Sequence, residues 1–115
     1  MKKELGARGE EIAALYLQKK GYKILDRNYF TRYGEVDIIC IKKRIISFVE
    51  VKTRRGTSFG FPEEAITQRK KEHIRKAALM YLESSHQAYG EISFDVISIM
   101  IVNGEEKINH IENAF

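Results

Sequence analysis

Asp37, Glu50 and Lys52 are the residues whose types and spacing could do chemistry. They lie in YGEVDIICIKKRIISFVEVKTR, residues 33–54, where two apolar runs, Val36 to Ile41 and Ile45 to Val51, read as buried β-strands carrying one carboxylate each. An ionised group in a dry sheet is costly without a partner, so these residues must reach a wet cleft or meet something cationic. Pairing Ile41 with Ile46 across the basic turn Lys42-Lys43-Arg44 sets Asp37 opposite Glu50 and Glu35 opposite Lys52. Directly opposed residues have Cβ atoms about 4.5–5.5 Å apart, and two carboxylates at that range need a cation or a shared proton. Period-two alternation puts Glu50 and Lys52 on one face, so the register gathers Glu35, Asp37, Glu50 and Lys52 on one surface. Hard oxygen donors of this kind suit Mg²⁺ or Mn²⁺, which use one or two carboxylates plus substrate phosphate. Such an ion can neutralise a phosphate oxygen and orient an attacking water, while Lys52 steadies the negative charge that builds on the phosphate. The chemistry is phosphodiester hydrolysis. The other account of the same residues is a structural ion-pair cluster on an exposed sheet face.

The elements that must position these groups follow from periodicity. From Glu4 to Lys20 the apolar residues Leu5, Ile12, Leu15 and Tyr16 recur at helical spacing, with Gly21 as a stop signal. Tyr22 to Tyr29 predicts a strand, followed by a polar turn through Thr31 to Gly34 and then the two strands above. RRGTSFGFP, with two glycines and Pro62, reads as a loop. A second helix runs to about Ser84, starting either with Pro62 in its first turn or with Thr67 as N-cap. Glu91 to Val102 and Glu106 to Ile111 flank Asn103-Gly104, a two-residue hairpin signal. The order is α, three strands, α, two strands: an α/β sandwich with a mixed sheet.

The whole chain, 115 residues, fits a single domain. No segment is apolar enough to span a bilayer, and MKKELGARGEE leads into no apolar signal region, so a cytoplasmic protein with no membrane partner is expected. The one cysteine, Cys40, excludes an internal disulfide framework and reads as a small buried hydrophobe. A net charge of +4 favours polyanionic partners. The basic residues gather in RNYFTR, KTRR and QRKKEHIRK, which makes Arg27, Arg32, Arg54, Arg55, Lys70 and Lys71 candidate nucleic-acid contacts; solvated faces are the plainer account.

Asp37 followed by Glu50-Val51-Lys52 resembles the PD-(D/E)XK nuclease superfamily, which includes restriction endonucleases and Holliday junction resolvases. GARGEEIAALYL, GYKILDRNYFTRYGEVDII, FVEVKTR and FDVISI together resemble the YraN-type family of uncharacterised, endonuclease-like bacterial proteins. The likeness implies a restriction endonuclease-like αβββαβ core, a mixed central sheet flanked by helices. It implies Asp37 and Glu50 as metal ligands and Lys52 as the catalytic lysine. Resolvase-like members add an acid from the first helix, which falls on Glu10, and some nucleases a polar residue in the second helix, which falls on Gln68. Val36 stands where the superfamily pattern has proline. The reading that follows is a metal-dependent nuclease acting on DNA, with branched or structured DNA and a homodimer suggested by analogy with resolvases. The alternative is a non-catalytic nucleic-acid-binding module on a nuclease scaffold.

Other residues divide between site and scaffold. Glu35 could simply pair with Lys52. Asp95, in the apolar strand FDVISI, is expected in a buried ion pair with Arg27. His73, His86 and His110 lack metal-ligand spacing and are assigned to helix surfaces or strand edges. Tyr29, Phe30 and Tyr33 could stack on bases, though core packing is the commoner fate of aromatics.

Overall fold

The computed structural model describes residues 2–56 and 66–115. Helix α1 (Lys2–Lys19) is followed by strands β1 (Lys23–Thr31), β2 (Gly34–Lys42) and β3 (Ile45–Arg55), helix α2 (Gln68–Ser84), and strands β4 (Glu91–Val102) and β5 (Glu105–Ile111). The five strands form one sheet in sequence order. Neighbours are antiparallel except β3 and β4, which run parallel and are joined through α2. The result is a mixed α/β fold compatible with a restriction endonuclease-like core. No helix among the described residues is long and apolar enough to cross a membrane.

The two helices cover opposite faces. On one side Ala13, Ala14 and Leu17 of α1 pack against Ile38, Cys40, Val49, Val51, Ile97 and Ile99. On the other, Ile74, Ala77 and Ala78 of α2 meet Val36, Ile39, Ile46 and Phe48. Alternation along β2 and β3 feeds both layers, which is why those strands read as continuous apolar runs. Cys40 is fully buried, and burial, with the charge of Asp95 behind it, pushes its thiol up to about 12, so it packs as a small hydrophobe.

Local chemistry fixes the connections. Gly21, at φ 95°, ends α1 with its N–H on Gln18 O and that of Tyr22 on Leu17 O, a Schellman pattern. Lys43 and Arg44 both take positive φ in the tight β2–β3 turn, as do Asn103 and Gly104 in the β4–β5 turn. Thr67 caps α2, its Oγ1 accepting from Lys70 N–H at 3.1 Å; Pro62 lies outside the described residues. Arg54 and Arg55, expected in a loop, instead end β3, because parallel pairing with Met100 and Ile101 of β4 gives their backbone a partner.

One close approach sets the height of α1 over the sheet. A Cβ on Gly9 would overlap Thr53 Oγ1 of β3, so only glycine lets the helix descend this far. Gly9→Ala is expected to cost about 1–3 kcal/mol by overpacking. It should also lift the neighbouring Glu10 away from the sheet. Urea unfolding measures the first effect and Mn²⁺ titration the second; unchanged values for both would refute the tight docking.

Candidate metal centre

The β2–β3 ladder keeps the expected register, Ile41 opposite Ile46 and Ile39 opposite Phe48, as far as Ile38 and Val49. There the paired ladder ends. Asp37 does not meet Glu50 head-on; its Oδ2 accepts from Val51 N–H at 2.8 Å. On the other flank Arg27 pairs with Ile38 and Tyr29 with Val36, which leaves Asn28 opposite Asp37 without a ladder partner. Asn28 sits at φ 52°, a left-handed conformation that Asn tolerates better than most residues. At this level the alternation of β2 slips, for Val36 and Ile38 enter opposite core layers. Such irregularities re-aim side chains, and this one places the Asp37 carboxylate in a fork between β2 and β3.

Carboxylates converge on the fork. Asn28 Nδ2 donates to Glu10 Oε1 and to Glu35 Oε1, at 2.6 Å each. Oxygens of Glu10, Glu35 and Asp37 all lie within 4.8 Å of one another, close enough to share one cation. Glu50 is 2% exposed; its Oε1 lies 2.9 Å from Lys70 Nζ and 3.7 Å from Lys52 Nζ. Its Oε2 is buried with no partner among the described residues.

The charges are strongly coupled. Burial, then the charge of Glu50, raises the Asp37 carboxyl to about 8 and Glu10 adds to the shift, although the Val51 N–H and Lys70 pull it down. At neutral pH and without a metal, Asp37 therefore tends to hold a proton. Burial works against the Lys70 ammonium, but hydrogen bonding and attraction from Glu50, with Asp37 and Glu35 beyond it, outweigh burial and raise its pKa. Perturbation by burial and named charge partners is a mark of functional sites. An open cleft of about 240 Å³ between the β1–β2 turn and the start of α2 is lined by Glu35 and Lys70 and gives solvent access. A larger cavity, about 300 Å³, opens at the other end of the sheet near Ile45 and Glu91, away from these acids.

The sequence candidates fall into distinct places. Asp37, Glu10 and Glu35 form the acid cluster, and Glu50 and Lys52 stand beside it as an ion pair. Glu35 pairs with Asn28 rather than Lys52, since the ladder that would oppose them ends before their level. Gln68 is exposed on the first turn of α2. Arg27 pairs with Glu11 at 3.0 Å and so is not the partner of Asp95, as had been expected. Instead Asp95 Oδ2 lies 2.8 Å from His110 Nε2, because β5 hydrogen-bonds beside β4 whereas β1 is at the far edge of the sheet. Arg32 hydrogen-bonds the Tyr33 hydroxyl, Lys71 lies over the Phe115 ring, Arg55 is exposed, and Arg54 Nε is buried without a partner among the described residues. Tyr29 packs edge-on to Tyr81 in the core, whereas Phe30 is 73% exposed on the hairpin beside the cluster. Sequence reasoning missed Asn28; its one signal is an asparagine within a run of β-formers.

The fold and the fork define an α/β protein with an acidic, lysine-bordered cleft whose donors suit a hard divalent cation. The chain belongs to the family described as "Uncharacterised protein family UPF0102", which matches residues 9–99 and so includes every acid of the cluster and both lysines. A UPF0102 protein of Syntrophomonas wolfei is 61% identical over 115 residues, covering the full length of both chains. One from Alkaliphilus oremlandii is 48% identical over the full length of both, and one from Rhodococcus opacus is 46% identical over 96% of this chain and 95% of its own.

Proposed function

We propose that the protein is a divalent-metal-dependent nuclease that hydrolyses phosphodiester bonds in DNA. The supporting observation is the convergence of Asp37, Glu50 and Lys52 at one fork, where Glu10 and Glu35 bring further oxygen donors. Among the described residues, Glu10, Glu35, Asp37 and Glu50 gather there with the ammonium groups of Lys52 and Lys70, and the buried Glu50 Oε2 has no hydrogen-bond partner. Mg²⁺ or Mn²⁺ fits the clustered oxygens of Asp37, Glu10 and Glu35, with Glu50 beside them as the further ligand that the nuclease resemblance implies; when bound it would supply charge neutralisation on phosphate and a more acidic water. The chain's own groups do the rest. Lys52, 27% exposed, offers an ammonium to the scissile phosphate. Asn28 holds Glu10 and Glu35 in place. Arg32, Arg55 and Lys71 can track the backbone, and the exposed Phe30 offers a ring to an unstacked base. The resemblance of Asp37 and Glu50-Val51-Lys52 to the PD-(D/E)XK pattern and its resolvase-like members supports this reading and suggests a branched or structured substrate, cut by a pair of subunits.

A binding module without turnover is favoured by one observation: Lys70 already neutralises part of Glu50. Cleavage of single-stranded, duplex, flap and four-way DNA with Mn²⁺, using Lys52→Ala as control, separates the two. The nuclease reading expects cutting of at least one substrate, reduced about 10²–10³-fold by Lys52→Ala, the cost typical of removing one transition-state donor. DNA binding without Lys52-dependent cutting of any substrate supports the module.

A further inference from the structure

The first turn of α2 breaks a local rule. It carries Arg69 and Lys70 and no acid, although the partial positive charge of a helix N-terminus disfavours cations. What offsets the penalty at Lys70 is the site itself: Nζ lies 2.9 Å from Glu50 Oε1, while Lys52 Nζ is farther from the same oxygen at 3.7 Å. The Lys70 side chain is also 44% exposed and lines the cleft of about 240 Å³, so its flexible stem has room to swing. The Lys52 side chain, on the paired strand β3, is less exposed, at 27%.

We propose that Lys70 is a tethered stand-in cation: it neutralises Glu50 in the metal-free protein, gives up that oxygen when a divalent ion enters, and then offers its ammonium to the nucleic-acid backbone in the cleft. This rests on the metal-site reading above. Two cations that compete for one carboxylate weaken each other's binding reciprocally, so wild-type metal affinity is lower than the bare carboxylates would give. The same side chain then strengthens phosphate binding once displaced. A residue that merely supported the fold would weaken both affinities on removal, whereas a displaceable cation moves them in opposite directions.

The test is calorimetric titration of Mn²⁺ into the wild type, Lys70→Met and Asp37→Asn, with thermal unfolding of each in EDTA and in excess Mn²⁺. Lys70→Met is expected to bind Mn²⁺ about tenfold more tightly than wild type, within the usual range for coupled ligands. It should unfold at a lower temperature in EDTA, because buried Glu50 has lost its nearest cation, and regain that loss in Mn²⁺. Its affinity for DNA in Ca²⁺ should fall, with the salt dependence reduced by about one phosphate contact. Lys70→Gln provides the same comparison if the Met variant does not fold. Wild-type Mn²⁺ binding that is unchanged or weakened by both Lys70 variants overturns the proposal and leaves the metal site standing. If neither the wild type nor a Lys70 variant binds Mn²⁺, the metal reading of the fork fails and takes this inference with it.

Discussion

Asp37→Asn should abolish saturable Mn²⁺ binding and DNA cleavage, and at the same time make the metal-free protein more stable at pH 8. The Asp37 carboxyl titrates at about 8 in the folded chain, against about 4 for an unfolded aspartate. Between those values the folded state holds the proton more tightly, so this group's contribution is most favourable below about pH 4 and is lost as pH rises through about 8. Asparagine has no proton to lose. Its Oδ1 can still accept from Val51 N–H, the bond that ties Asp37 to β3. Near pH 8 the gain should be about 1–3 kcal/mol, less than an isolated carboxyl titrating there would give, because the Val51 N–H and the Lys70 ammonium already favour the ionised Asp37. Urea unfolding in EDTA from pH 5 to 8.5 checks the sign: a declining wild-type curve and a flatter variant curve that crosses above it. Adding Mn²⁺ should raise only the wild type. A variant less stable than wild type at pH 8, or one that still binds Mn²⁺ normally, contradicts the account of Asp37.

Asp95→Ala should cost about 2–4 kcal/mol, because it removes the acceptor that several buried hydrogen-bonding groups share. That is a large share of the about 5–15 kcal/mol that holds most domains together. Asp95 is 1% exposed and its two oxygens are fully employed. Oδ2 meets His110 Nε2, while Oδ1 accepts from the Ser93 hydroxyl and from Asn113 N–H at 3.2 Å. Alanine would strand the His110 imidazole, while the Ser93 hydroxyl would keep only Asn113 Oδ1 at 2.9 Å and the Asn113 N–H only Ser93 Oγ at 3.3 Å. Asparagine keeps one acceptor and should cost less, about 1–3 kcal/mol. Asp95 sits one strand over from Glu50, in register with Val49, but its oxygens are taken up by Ser93, His110 and Asn113, so Asp95→Asn protein that remains folded should bind Mn²⁺ as wild type does. An alanine variant within about 1 kcal/mol of wild type would show that the network carries little of the fold's stability.

The helices and strands were legible in the sequence because both helices present apolar residues at helical spacing and both central strands are apolar on two faces. The β2–β3 register was legible from the even basic turn, since an odd slip would have scattered Asp37 and Glu50 to opposite faces of the sheet. The end of that register was not legible. It depends on Asn28 adopting positive φ and on a side chain taking over a backbone bond, and neither leaves a pattern in hydrophobicity. Glu35 was therefore assigned towards Lys52 when it turns to Asn28. Asp95 was matched with the wrong cation because pairing across the sheet depends on strand order, which a single sequence states poorly. Lys70 looked like one more basic surface residue, since only the docking of α2 brings it to Glu50. Arg27, one of the basic candidates, is paired with Glu11.

Glu10 approaches the fork from the layer on one face of the sheet and Lys70 from the layer on the other. Neither layer can detach without dismantling the arrangement: loss of α1 removes an acid, and loss of α2 bares Glu50 to solvent. On the proposed reading, a nascent chain whose last crossover has yet to dock would have no finished trap for an ion, and that capacity would arrive only with completed assembly. Transient undocking of either helix in the mature molecule would likewise switch the trap off before the rest of the fold gives way.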